Sequence, residues 1–480
     1  MATDKNPVLP SWHEITTTKA TPPDSDAPSV QPSSTKRLSP YRGVLYAILA
    51  LVSLAALHGP LGTTNLGIPL HVCGKPMTVE QKARQILAHN PLIGTLLIHI
   101  PDLDGHIDLP ILLRALYHNR IDNDEWRQRF ENGTMPGQVD LYRLSKGQSG
   151  GAFWSVFAPC PDKGDDFSDA NLAPIVQYTL DQIDVMDRVM EAFPHDFAPR
   201  VKSRDARAAF NSGKLISPLG VEGLHQIGNH VANLRRFHEL GVRYATLTHN
   251  CHNKYADAAL LESPLRKAEP KWNGVSPLGR ELIHEMNRIG MIVDLSHVSE
   301  DTMFDVLGGR QDWPGSLAPI IFSHSSAYSI CPHPRNVKDS ILQLVRKRNS
   351  VVMVNVSPDF ISCRAVGNPN GLPEEDPANA TLDRVVEHIL HIGNLIGFDH
   401  VGIGTDFDGI DSLPKGFDDV TKYPDLIAAL LRAGVSDTDA AKIAGGNVLR
   451  VWHDVDAVSA RLKAESSPVM EDSIRGPAHD

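Results

Sequence analysis

The chain has 480 residues, 41% hydrophobic and 21% charged, with a formal net charge of −11. An acidic balance without a basic patch excludes nucleic acid as a partner. About 400 residues follow the first apolar segment, room for one large catalytic domain with insertions.

Residues 1–43 are rich in Pro, Ser, Thr and Asp and poor in large apolar side chains, the composition of a disordered tail. Val44 to Leu57 is then almost wholly apolar, and no Asp, Glu, Lys or Arg occurs from Gly43 to Gly74. Lys36, Arg37 and Arg42 precede this stretch, so residues 44–61 read as a transmembrane signal anchor. That orientation leaves the tail cytosolic and the rest of the chain lumenal or extracellular. A cleaved signal, giving a secreted protein, is the alternative. Residues 62–77 read as a linker, 78–455 as the catalytic domain and 456–480 as a polar C-terminal tail without a glycolipid-anchor signal. Asn132-Gly-Thr134 and Asn379-Ala-Thr381 are glycosylation acceptors in loop-like sequence, whereas Asn355-Val-Ser357 ends a strand and precedes Pro358.

Within 78–455, eight short apolar runs rich in β-branched residues read as strands: 104–109, 151–158, 215–222, 242–249, 291–297, 319–324, 350–356 and 400–406. Helical periodicity fills the gaps. Leu282, Met286 and Ile289 recur at i, i+4 and i+7 before Gly290, and Leu382, Val385, Val386, Ile389 and Ile396 form a second apolar stripe. The alternation predicts a (β/α)8 TIM-type barrel, in which C-terminal strand ends converge on one mouth. A doubly wound open sheet would gather its ligands at one switch point instead.

The runs stop on residues that bind metals or move protons: His106 with Asp108, Glu222, His249, His297, His324 and Asp406. Alternate strand residues share a face, so His106 and Asp108 can grip one ion together. Glu222 lies in Gly220-Val-Glu-Gly223, where glycines admit close backbone approach. Its carboxylate can bridge two cations, with His297 and His324 completing the second site. Such a histidine and carboxylate set suits zinc. Two such ions about 3.5 to 4 Å apart would hold a water between them and lower its pKa toward neutrality, supplying a bridging hydroxide nucleophile. The cysteines, Cys73, Cys160, Cys251, Cys331 and Cys363, show no Cys-x-x-Cys spacing, which excludes a zinc finger.

Asp104-Gly-His-Ile-Asp-Leu-Pro110, Gly220-Val-Glu-Gly223, Thr246-Leu-Thr-His249, Asp294-Leu-Ser-His-Val-Ser299, Phe322-Ser-His-Ser-Ser-Ala-Tyr328, Arg335-Asn-Val337 and Gly404-Thr-Asp-Phe-Asp-Gly409 resemble, in order, the motifs of the membrane (renal-type) dipeptidases, the M19 zinc peptidases. The likeness spans about Thr78 to Trp452. It implies two zinc ions, His106 and Asp108 on the first, Glu222 bridging, His297 and His324 on the second. It implies that His249 stabilises the tetrahedral oxyanion, that Asp406 orients water and carries its proton, and that Arg335 pairs with the free carboxylate of a dipeptide. It further implies Cys160–Cys251 and Cys331–Cys363 disulfides. Cys73 is left over, placed either to link two chains as a homodimer or to lie free and buried.

The chain departs from the family pattern in four places. Gly94 to Leu103 intervenes before Asp104, Ile107 replaces the usual Asn, Ile111 stands where Trp is common, and Phe360 where Tyr is common. The other reading of the same residues is a binuclear-zinc amidohydrolase acting on a lactam or cyclic amide.

Overall fold

The structure, a computed structural model, describes residues 77–88 and 102–472. The expected anchor at 44–61, Cys73 and most of the 94–103 insertion lie outside the described residues. Among the described residues, no helix is long and apolar enough to cross a membrane.

Eight parallel strands form one nearly closed barrel: β1 (Asp104–Ile107), β2 (Ala152–Ser155), β3 (Leu219–Glu222), β4 (Val242–Thr246), β5 (Ile292–Asp294), β6 (Ile321–Phe322), β7 (Val351–Val354) and β8 (Val401–Ile403). Each strand pairs with its neighbour in chain order, the expected (β/α)8 arrangement. The ring closes just past β8, where the Asp108 amide donates to the Phe407 carbonyl (2.8 Å) and the Asp406 amide to the His106 carbonyl (3.0 Å). Along β4 the pleat sends Tyr244 into one buried cluster with Phe153, Met353 and Trp452, while Ala245 joins the larger cluster. Burial on both faces explains why these strands read as unbroken apolar runs.

The helices form where their periodicity places them. In α1 (Pro277–Ile289) Ser276 caps the first turn by accepting from the Gly279 amide, proline occupies the first position, and Gly290 ends the helix at φ 92°. In α2 (Leu382–Ile396) Thr381 caps, and the expected Val385, Val386, Ile389 and Ile396 are buried. In α3 (Asn447–Ala464) Val451, Trp452, Val455 and Leu462 are buried. This last helix runs past the expected domain boundary at 455. Further on, Asp472 accepts from the Val231 and Ala232 amides.

One expected strand breaks in two. Leu215–Ser217 pairs with Phe197–Pro199 in a separate small sheet, and only Leu219–Glu222 joins the barrel. Pro218 between them has no N–H for the ladder, though its carbonyl still accepts from the Trp154 amide at 2.9 Å. Two hairpins stand apart from the barrel, Leu260–Glu262 with Leu265–Lys267, and Cys363–Arg364 with Glu374–Glu375. The Lys267 amide donates to the Asn370 carbonyl (2.8 Å), tying the two together.

Candidate active site

The chain turns sharply after each strand that brings a candidate ligand to the mouth. Asp104 accepts from the His106 amide (3.0 Å) and Asp294 from the Ser296 amide (3.1 Å), each a carboxylate folding over the residue two positions on. Asp104 also receives the Thr405 amide and hydroxyl and the Tyr423 hydroxyl, joining β1 to the segment after β8. Asp294 receives the Thr246 and Ser323 hydroxyls, joining β4, β5 and β6. His297, Asp406 and Asp408 hold left-handed backbone, φ 66°, 67° and 64°. A conformation this unfavourable for non-glycine residues is kept where surrounding bonds over-determine it.

The structure brings all five candidate ligands together. Nε2 of His106 lies 3.0 Å from Asp108 Oδ2 and 3.7 Å from Glu222 Oε1. The same Glu222 oxygen is 2.8 Å from His297 Nε2 and 3.4 Å from His324 Nε2. His106, Asp108 and Glu222 form one grouping that could hold a metal ion, and Glu222, His297 and His324 another, with Glu222 common to both. Each histidine is held from behind through Nδ1: His106 by the Tyr244 hydroxyl (2.7 Å), His297 by Asn250 (3.0 Å) and His324 by the Ser323 hydroxyl (2.8 Å). Engaging Nδ1 in this way leaves Nε2 as the ligating atom.

The donor set fits cations. Asp108 Oδ1 is buried without a hydrogen-bond partner. Burial, then Asp108 and Asp406, hold Glu222 well above the usual carboxylate range against the pull of His106. Burial likewise keeps His297 and His324 well below the ordinary imidazole value. His106 goes the other way: burial alone would lower it, but Asp108 and Glu222 raise it to about 10. A metal ion held here would balance charges this crowded and this poorly hydrated.

The expected catalytic groups border the same centre. His249 lies beyond β4 with its ring 4.3 Å from that of His297. Its Nδ1 faces Cys160 Sγ (3.8 Å) and Glu262 (3.7 Å). Asp406 Oδ1 is 3.9 Å from His106 Nε2, and its Oδ2 accepts from Asn355 Nδ2 at 2.8 Å. Burial first, then Asp108, raise Asp406 to about 7, against His106, Arg335 and the Asn355 bond. Asn355 is fully buried, so its sequon is no glycosylation acceptor. Arg335 is 3% exposed, and its Nε and Nη2 have no partner. Its guanidinium stands 4.9 Å from the Phe360 ring. His249, His297, Glu262, Arg335 and Asp406 line one cavity of about 380 Å³, whose wall also includes Ile111 and Phe360.

Both expected disulfides are present, Cys160–Cys251 and Cys331–Cys363. The first joins the segment after β2 to the loop carrying His249, and the second ties the Arg335 loop to a hairpin. Ile107, between the two first-strand ligands, points into the core and is fully buried. Four groups had no catalytic or ligand-supporting role in the sequence reading: Tyr244, Asn250, Asn355 and Glu262. Burial raises Glu262 to about 7 beside His249. The Tyr244 ring lies against Gly220, where a Cβ would leave it no room.

A family model described as Membrane dipeptidase (Peptidase family M19) matches residues 92–466. The chain is 44% identical over 372 residues to "Dipeptidase tcpJ" of Claviceps purpurea, covering 77% of this chain and 80% of that one. It is 45% identical over 383 residues to an uncharacterized dipeptidase of Schizosaccharomyces pombe, covering 78% and 83%. The crystal structure of the probable dipeptidase PvdM from Pseudomonas aeruginosa shares the fold with a TM-score of 0.65 at 23% identity, covering 79% of this chain and 99% of that one.

Proposed function

The chain belongs to the membrane dipeptidase family, peptidase family M19, and is a metallo-dipeptidase; from this premise we propose that two zinc ions bound by His106, Asp108, Glu222, His297 and His324 serve its hydrolysis of dipeptides with a free C-terminal carboxylate. The observation that carries this reading is Glu222, one oxygen of which faces the Nε2 atoms of three histidines. Zinc ions held there would supply a hydroxide at neutral pH by lowering the pKa of a shared water.

The protein's own groups do the rest. Arg335 receives the substrate carboxylate on its unpartnered Nε and Nη2, and this restricts substrates to short peptides with a free C-terminus. With Nδ1 turned toward Cys160 and Glu262, His249 presents Nε2 to the cavity and donates to the oxyanion as it develops. Asp406, near neutrality, takes a proton from the attacking water and delivers it to the leaving nitrogen. Asn355 holds that carboxylate in place.

The disulfides support an oxidising compartment for the catalytic domain. We assign its delivery there to the 44–61 segment, as an anchor or as a cleaved signal. The test of function is hydrolysis of a dipeptide panel by purified protein before and after chelation. Cleavage that disappears with the metal and returns with zinc is expected; no cleavage by protein holding two zinc ions rules the reading out.

A further inference from the structure

Two groups face Nδ1 of His249: Cys160 Sγ at 3.8 Å and Glu262 Oε2 at 3.7 Å. They differ in what they can supply. Cys160 is bonded to Cys251 and carries no S–H, so its sulfur can give that nitrogen no proton. Glu262 is a carboxyl group that burial pushes up to about 7, so its protonated form is available at neutral pH. Burial also holds His249 well below the ordinary imidazole value, which favours the neutral ring. A neutral imidazole has one N–H, and the bond made at one nitrogen decides whether the other carries it.

Glu262 is delivered by a fixed segment. The Ala259 amide donates to the His297 carbonyl at 2.7 Å, and Leu260 beside it is buried. The strand Leu260–Glu262 then pairs with Leu265–Lys267, setting Glu262 opposite Leu265. The turn that carries His297, whose ring lies 4.3 Å from that of His249, therefore also anchors the strand that brings Glu262 to the same ring. A movement of about 1 Å closes the Nδ1 to Oε2 separation to hydrogen-bond length, the tightening catalytic groups undergo when substrate binds. We propose that Glu262 is a positioning residue for His249: its carboxyl O–H donates to Nδ1 and so fixes the ring proton on Nε2, the atom that meets the oxyanion. The inference rests on the reading of His249 as the oxyanion donor.

The test measures kcat, KM and zinc content of the zinc-loaded full-length protein with the best-cleaved dipeptide of the panel. Glu262→Ala should lower kcat by about tenfold, with KM within about twofold and zinc content unchanged. Glu262→Gln keeps an N–H for Nδ1 and should stay within about threefold of the wild type. In a His249→Ala background, Glu262→Ala should cost nothing more, because the residue it positions is gone. Losses that add in the double variant, a Gln variant as impaired as the Ala variant, zinc lost from Glu262→Ala, or an unchanged kcat in Glu262→Ala would each overturn the positioning role while leaving His249 as the oxyanion donor. An unchanged kcat in His249→Ala alone would overturn both.

Discussion

Nε2 of His297 stands 3.0 Å from Nε2 of His324, with Glu222 Oε1 close to both. Two imidazole nitrogens this close repel unless a proton or a metal cation lies between them. Glu222→Gln, which removes the charge both proposed sites share, should therefore lose metal and activity together. Metal content after dialysis checks this, with about a thousandfold fall in kcat/KM expected; full activity in the variant would reject the bridging role. Chelation of the wild type should also lower Tm, because a ligand at 100 times its Kd stabilises the fold by about 2.7 kcal/mol.

Tyr244→Phe keeps the ring that packs against Gly220 and removes only the hydroxyl on His106 Nδ1. Zinc affinity should weaken by about 10- to 100-fold, with a much smaller change in Tm. Competition with a chromogenic chelator measures the difference. Unchanged affinity would remove Tyr244 from the support of the site.

The pH profile tests Asp406. Its carboxylate form is the base, so kcat/KM rises with pH through its pKa. The Asn355 bond favours that charged form and pulls the pKa down. Asn355→Leu should accordingly move the acid limb of the kcat/KM profile to higher pH, by about one unit. A limb that stays in place or moves to lower pH would assign it to another group.

Arg335→Ala should raise KM for free dipeptides with a smaller change in kcat, a loss of about 2–3 kcal/mol in kcat/KM for a charge-assisted pair. Arg335→Lys should recover only part, since an ammonium cannot reproduce the fork. Dipeptide amides should be cleaved poorly by the wild type, and their rates should be insensitive to the substitution. An unchanged KM for free dipeptides would dismiss the anchor.

The ligands were legible because a barrel exposes strand ends at one mouth: once the apolar runs ending near His106, Glu222, His297 and His324 read as strands, their meeting followed. Helix α1 was legible down to its capping Ser276 and terminal Gly290 because caps and periodicity are local. What escaped depends on partners distant in the chain. Tyr244 contacts His106, and Asn355 contacts Asp406, through bonds spanning 138 and 51 positions. No local pattern distinguishes such residues from ordinary strand positions. The break at Pro218 escaped because apolar residues on both sides continue the run. Glu262 escaped because its three-residue strand is too short to read, and only folding brings it against His249.

The bond from the Asp406 amide to the His106 carbonyl also dictates a timetable. Synthesis runs from the N-terminus, so His106 and Asp108 emerge some 300 positions before the segment that closes the ring over them. Both cysteine pairs have emerged before Val401 begins the last strand, so oxidation can precede closure. Until that strand arrives the first ligand pair has no finished wall beside it, so metal capture at the proposed site should come at the end of maturation. A nascent or truncated chain lacking the last strand carries every proposed metal ligand yet has no completed site, which keeps hydrolytic activity off until the domain is whole.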